Sequence, residues 1–183
     1  MKEEYIDIVT SNGSYTGESA PKSEIHSKGH YHNTVHIWFY TLKGEILLQQ
    51  RAASKVICPL LWDVSVAGHI DAGETLKSGA IREIEEEIGL SIPEAHLNKI
   101  GIFECFQSYP NGIIDNEFHH TFIAELKVNV NQLTPQKEEV EALKLVSIEN
   151  FKTLLDNSES NGHFVASNRK HYEFVVNSIQ KTL

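Results

Sequence analysis

Three glutamates whose spacing matches a helix carry the clearest chemical signal in this 183-residue chain. Glu83, Glu86 and Glu87 stand at positions i, i+3 and i+4, so a helix would place the three carboxylates on one face, within reach of a common point. Hard oxygen ligands suit Mg²⁺ or Mn²⁺, which bridge protein carboxylates to phosphate oxygens. The spacing therefore predicts a divalent-metal site, although a lone run of glutamates more often forms a solvated acidic face.

The residues around the glutamates favour the metal site over the solvated face. Apolar residues recur at helical spacing through residues 75–88, on a side away from the glutamates, and Gly89 is suited to close the helix. Arg82 adjoins the first carboxylate. We expect Arg82 to pair with Glu74 and to pin the preceding loop to the helix.

The fixed positions of this stretch resemble the Nudix box of Nudix hydrolases. They run Gly68, five residues, Glu74, seven residues, Arg82-Glu83-Ile84, one residue, Glu86-Glu87, one residue, Gly89-Leu90. The resemblance implies an α/β/α sandwich, dependence on Mg²⁺ (with Mn²⁺ as the alternative), and hydrolysis of a diphosphate bond in a nucleoside diphosphate derivative or a related compound. It also implies two overlapping sets of residues. The metal set is Glu83, Glu86, Glu87, Glu117 and Gly68. The catalytic set is Glu83, Glu86, Glu87, Arg82 and Glu74. Within the catalytic set, Glu74 and Arg82 have structural roles.

Outside the box, residues 25 to about 124 resemble the branch that contains isopentenyl-diphosphate isomerase. The matching segments are His26, residues 32–38 (HNTVHIW), residues 47–55 (LLQQRAASK), Gly68-His69 and Asp115-Asn116-Glu117. In the isomerase, the positions that match His32, His69, Asp115, Glu117 and a histidine near His26 hold a metal, and those that match Arg51 and Lys55 contact the diphosphate. For this chain we predict Arg51, Lys55, His69 and His32 as substrate-binding residues, with metal ligation open for the two histidines.

Two departures from the isomerase pattern favour hydrolysis. The isomerase needs a cysteine just before the Gly-His pair, and this chain has Ala67 there. The isomerase has also generally lost the full set of box glutamates, which is complete here. An isomerase-like enzyme and a non-catalytic ligand-sensing module remain the alternatives, and the general base is left open among Glu83, Glu138 and Glu139.

Strands and helices of mixed order must position these residues. We predict strands over 5–9, 34–41, 45–50, 63–67, 99–106, 117–126 and 140–147, and helices over 75–88, 148–156 and 169–181. A short hairpin is expected where residues 5–9 meet the Ser11-Asn12-Gly13 turn, and it leads into a polar loop through Pro21. The pattern is typical of an α/β fold, an α/β/α sandwich with a mixed β-sheet.

Composition indicates the class of partner. The length fits one domain over residues 1–183, with a hairpin or extension at 1–30 and helices at 148–183. A net charge of -9 predicts neither nucleic acid nor an anionic membrane as a partner, while a small diphosphate remains compatible because a bound cation supplies positive charge. We expect a cytoplasmic protein with two free cysteines, and we leave a homodimer open.

Overall fold

The computed structural model describes residues 3–157 and 169–183, which form a nine-stranded sheet with helices on both faces. The helices are α1 (Lys22–Lys28), α2 (Leu76–Ile88), α3 (Ile148–Asp156) and α4 (Arg169–Gln180). The strands are β1 (Tyr5–Val9), β2 (Tyr15–Pro21), β3 (Tyr31–Thr41), β4 (Glu45–Arg51), β5 (Trp62–Asp63), β6 (Val66–His69), β7 (Asn98–Ser108), β8 (Ile114–Glu125) and β9 (Val140–Ser147). This architecture confirms the predicted α/β/α sandwich. Residues 158–168, within the predicted C-terminal helical region, lie outside the described residues.

Strand β3 is the organising element of the sheet. It pairs in parallel with β8 and antiparallel with β1, β4 and β6, so the sheet is mixed as predicted. The parallel register sets His32 opposite Glu117, and the antiparallel register sets Thr34 opposite His69. Three distant segments of the chain are thereby brought to one end of β3.

Two large apolar cores, one on each face of the sheet, hold α2, α3 and α4 in place, while a small third cluster of Ile6, Ala20 and Ile25 holds α1. On one face Ile84 and Ile88 of α2 pack with Val35 and Leu47. On the other face α3 and α4 pack against Trp38 and its neighbours. Alternate residues of β3 serve the two cores because side chains along a strand point to opposite faces. No helix in the described ranges has the length and apolarity to cross a membrane.

The prediction of a polar loop through Pro21 is wrong, because residues 15–21 form strand β2. This strand pairs antiparallel with β1, and five of its first six residues are exposed, so the sequence lacks the alternation of a half-buried strand. The seven-residue helix α1 was not predicted either, since Ile25 is its one buried residue. The N-terminal segment is thus a hairpin followed by a short helix.

The strand predicted over 63–67 is divided into β5 and β6. Strand β5 pairs with β4, whereas β6 pairs with β3, so the chain changes partners between Asp63 and Val66. Ser65 fixes this crossing, because its Oγ donates to Leu47 O at 2.6 Å and accepts from Phe39 N at 2.8 Å. Because the chain changes partners here, β6 runs toward the N-terminal end of β3, where the histidines lie.

A leucine occupies a left-handed backbone position in the loop that follows Arg51. Leu60 has φ 61°, in the left-handed region that glycine adopts most easily. We expect Leu60→Gly to raise the free energy of unfolding by up to about 1 kcal/mol, since relief of left-handed strain exceeds the entropic cost of glycine. Leu42→Gly is the control for urea denaturation, because Leu42 is also exposed but has negative φ. Equal destabilisation by both changes would contradict the expectation.

Candidate metal and diphosphate site

Helix α2 is fixed at both ends and through the loop that precedes it. The Thr75 side chain accepts from Ser78 N at 3.1 Å, and Gly89 closes the helix with φ 65°. The loop before the helix rests on strand β1, where Gly73 N donates to Asp7 Oδ2 at 3.0 Å. The glutamates of α2 therefore project from a firmly held element.

Arg82 connects the loop, the helix and strand β6. Its guanidinium donates to Glu74 Oε2 at 2.9 Å, to Glu83 Oε1 at 2.8 Å, to Glu86 Oε2 at 3.1 Å and to His69 O at 2.9 Å. Although burial lowers the pKa of Arg82, its bonds to Glu74 and the charge of Glu83 raise it overall. Arg82 is a fixed positive charge whose fork orients the neighbouring carboxylates.

The Glu87 carboxylate lies inside the protein. Glu87 is 5% exposed, and its Oε2 accepts from Gln49 Nε2 at 3.1 Å and from Ala67 N at 3.3 Å. Burial, followed by the charge of Glu83, raises the pKa of Glu87 to about 8. Two hydrogen bonds do not offset the cost of ionising this group in the interior.

Glu83 lies directly beneath the backbone of strand β6. A Cβ added at Gly68 would come 2.1 Å from Glu83 Cδ, so this close approach requires glycine. Burial raises the pKa of Glu83 to about 7, although Arg82 lowers it. Adjacent buried carboxylates that resist ionisation fit a divalent cation, which would compensate their charge.

Glu86, the third glutamate, has a different environment. Its side chain is 54% exposed and contacts Arg82. The three carboxylates share the face that the spacing predicts, but Glu87 is buried, Glu83 is partly buried and Glu86 is exposed at the mouth of the site. Glu86 is therefore placed to meet an incoming ligand.

Three histidines form a second group of potential ligands, which we call the histidine centre: His26, His32 and His69. One ring nitrogen from each lies within 4.8 Å of the others, and the ring centroids are 5.1 to 5.3 Å apart. Nε2 of His32 and Nε2 of His69 are buried without a hydrogen-bond partner. Buried orphaned nitrogens that converge on one point fit a metal ion, since imidazole is a common metal ligand.

Two carboxylates border the histidine centre. Glu117 Oε1 is 3.4 Å from His32 Nε2 and 3.9 Å from His69 Nε2, and Asp115 Oδ1 is 2.8 Å from His26 Nδ1. Although burial raises it, hydrogen bonding to His119 and the nearby His32 hold the pKa of Glu117 well below its ordinary value. Glu117 therefore presents a negative oxygen to the centre.

Strand β6 joins the carboxylates of α2 to the histidine centre through three consecutive residues. Ala67 N bonds to Glu87, Gly68 covers Glu83, and the His69 ring belongs to the histidine centre. Successive side chains of a strand point to opposite faces, so strand β6 places the two groups next to each other along the chain, on either side of its backbone.

The predicted diphosphate contacts are engaged with other residues. Arg51 NH1 is 3.4 Å from Asp63 Oδ2, and Lys55 forms an ion pair with Glu139. The negative charge of Glu139 is one of the smaller influences that raise the pKa of Glu87. Glu138, the residue before Glu139, is exposed. Lys55 and Glu139 therefore belong to the surroundings of the α2 carboxylates.

Lys22 is a cation of the site that the sequence did not indicate. It lies on α1, pairs with Glu4 at 2.7 Å, and its charge lowers the pKa of both Glu83 and His69. In each case burial is the larger influence on the pKa. A lysine in a short polar helix carries no signal in the sequence that would distinguish it from a surface cation.

Comparisons with known proteins agree with this geometry. The family described as NUDIX domain matches residues 30–167. Nudix hydrolase 3 of Arabidopsis thaliana is 38% identical over 87% of this chain, which spans only 21% of that relative. Isopentenyl-diphosphate Delta-isomerase 2 of Photorhabdus laumondii is 34% identical, over 85% of this chain and 84% of its own.

A solved structure shows the same fold at low sequence identity. The crystal structure of DR0079 from Deinococcus radiodurans superposes with a TM-score of 0.66 at 18% identity, over 86% of this chain and 90% of that one. From the matched region and these relatives, the chain belongs to the NUDIX domain family, in the branch whose members include both Nudix hydrolases and isopentenyl-diphosphate isomerases.

Proposed function

We propose that the protein is a Mg²⁺-dependent pyrophosphohydrolase of a small organic diphosphate. The observation that carries the proposal is the pair of carboxylates beneath Gly68 and Ala67, where Glu83 is partly buried, Glu87 is buried, and their pKa values are raised to about 7 and about 8. A divalent cation would compensate the two charges. Glu86 at the mouth of the site would complete the ligand set.

The protein's own residues would bind and orient the substrate. Arg82 keeps Glu83 and Glu86 aimed together. Lys22, Arg51 and Lys55 are each paired with a carboxylate and would exchange that partner to contact the diphosphate. A bound divalent cation would neutralise diphosphate charge and lower the pKa of the attacking water. The acidic net charge of the chain is then compatible with an anionic substrate.

The histidine centre supports a second cation. Mixed imidazole and carboxylate ligands suit Mn²⁺, Zn²⁺ or Fe²⁺ better than Mg²⁺, which prefers oxygen. We therefore propose that Glu83, Glu86 and Glu87 hold Mg²⁺, while the histidine centre with Glu117 holds a transition metal. A diphosphate would lie between the two groups.

Isomerisation is the second candidate, because the branch contains isomerases and the histidine centre matches their metal positions. Ala67 argues against it. The methyl group of Ala67 cannot transfer a proton, and the backbone N–H of Ala67 already donates a hydrogen bond to the Glu87 carboxylate. A prenyl diphosphate and a nucleoside diphosphate derivative are both compatible substrates for hydrolysis.

A product assay with both substrate classes tests the proposal. With Mg²⁺, we expect either a nucleoside diphosphate derivative to give a nucleoside monophosphate and its phosphorylated second moiety, or a prenyl diphosphate to give the prenyl monophosphate and phosphate, and no product in EDTA. Conversion of labelled isopentenyl diphosphate to its allylic isomer without phosphate release would overturn hydrolysis. Tight binding without turnover of any diphosphate would instead establish a ligand-sensing module.

A further inference from the structure

Glu117 is held from its far side by a histidine that belongs to neither group described above. His119 Nε2 lies 2.8 Å from Glu117 Oε2, whereas Glu117 Oε1 faces His32 and His69. The two residues are two apart on β8, so both point to the same face of the sheet. An ionised carboxylate has no proton to donate, so in that state His119 Nε2 is the donor to Glu117 Oε2.

His119 is itself held in place by its neighbours. Its ring stacks on His36 of β3, with centroids 3.8 Å apart and planes 18° from parallel. His119 is 4% exposed, and Cys105 on β7 is a further hydrogen-bonding neighbour. Three strands therefore fix the position of this imidazole.

The nitrogens of His36 and His119 and an oxygen of Glu117 also lie within 4.8 Å of one another, which raises the alternative of another metal site. The stacking argues against it. An imidazole binds a metal through a lone pair in the ring plane. A centroid separation of 3.8 Å puts the nearly parallel His36 and His119 rings face to face, so their lone pairs run side by side rather than toward one ion, whereas the His32 and His69 rings, 16° from parallel, have centroids 5.3 Å apart. The arrangement instead suits support of Glu117.

We propose that His119, backed by His36, is a positioning residue that fixes the Glu117 carboxylate so that Oε1 completes the cation site of the histidine centre. The inference rests on the second-cation part of the proposed function. It assigns a use to a row of His36, His119 and Glu117, of which His119 is buried, that the diphosphate chemistry leaves unexplained. Outer partners that orient a metal ligand typically contribute 10- to 100-fold in metal affinity.

Titration with Co²⁺ tests the proposal in a full-length parent that carries Glu83→Gln and Glu87→Gln, so that the histidine centre is the principal metal site. We expect one Co²⁺ per chain. His119→Leu should weaken binding about 10- to 100-fold and shift the visible Co²⁺ absorption, since the carboxylate ligand is released. His119→Gln should restore most of the affinity, because its amide nitrogen can donate in place of Nε2.

His120→Leu is the matched control for loss of a buried histidine. His120 is the next residue of β8 on the opposite face, where it contacts Asn33 and Lys99, so its loss should lower stability and leave Co²⁺ affinity unchanged. Unchanged affinity in His119→Leu would overturn the proposal, as would two Co²⁺ per chain with one lost in His36→Phe. A parent that binds no Co²⁺ would overturn it too, while phosphate release by the wild-type chain would still test hydrolysis separately.

Discussion

Glu87→Gln should abolish diphosphate hydrolysis while leaving the metal-free protein at least as stable as the wild type. Glutamine keeps the shape and the acceptor for Gln49 and Ala67 but removes the negative charge that a cation needs. We expect kcat/KM to fall about 10³-fold, equivalent to roughly 4 kcal/mol of transition-state stabilisation. Phosphate release with saturating Mg²⁺ measures the loss.

The expected difference in stability between Glu87→Gln and the wild type depends on pH. The pKa of Glu87 is about 8 in the folded chain against an ordinary 4.5, so unfolding releases its proton between these values and wild-type stability falls as pH rises. Glu87→Gln lacks this loss. In EDTA, the free energy of unfolding of the variant should therefore exceed that of the wild type increasingly from pH 4.5 to 8.

Glu85→Gln is the control, because Glu85 is an exposed glutamate of the same helix. It should retain full activity and the wild-type pH profile. If Glu85→Gln and Glu87→Gln reduced turnover equally, the loss would reflect general acidity of the helix rather than a metal ligand at Glu87.

Gly68→Ala should disable the site by displacing Glu83. The added methyl group would lie 2.1 Å from Glu83 Cδ, and the side chain must leave its bonded position beside Arg82. Displacement of a catalytic group by about 1 Å can lower activity about 10²-fold, and we expect a loss of at least that size in kcat/KM. Stability should change less, because the displaced group is the end of a side chain.

A double-mutant cycle identifies the cause. If Gly68→Ala acts through Glu83, adding it to Glu83→Gln should cost little further activity. Gly101→Ala, whose new Cβ meets the Phe103 ring at 3.1 Å rather than a site residue, should remain active. Additive losses in the cycle would show that Gly68 serves the site in another way.

Elements whose local signals agree with their packing could be predicted from the sequence. Helix α2 combines apolar spacing with a C-terminal Gly89 and is observed over Leu76–Ile88, one residue inside the prediction. Strand β9 is observed with the predicted bounds, Val140–Ser147. Strand β2 could not be found in the same way, because an exposed edge strand has backbone pairing but little apolar pattern.

The residues of the site also divide into those that local sequence signals predict and those that only packing brings together. Helical spacing places the box glutamates on one face, but it does not reveal that Glu87 is buried while Glu86 is exposed. The meeting of His32 with Glu117 depends on a parallel register between strands far apart in the chain. Lys22 could not be predicted, because its relation to Glu83 arises only from the packing of α1.

Helix α1 has a consequence for variation among relatives. The NUDIX domain match begins at residue 30, so Lys22 and His26 lie outside the matched domain. Members that have the same carboxylate helix but a different N-terminal segment can therefore lose or replace part of the histidine centre without altering their box. The metal content of the second group can then change independently of the first, and the N-terminal segment becomes the place where reactivity diverges.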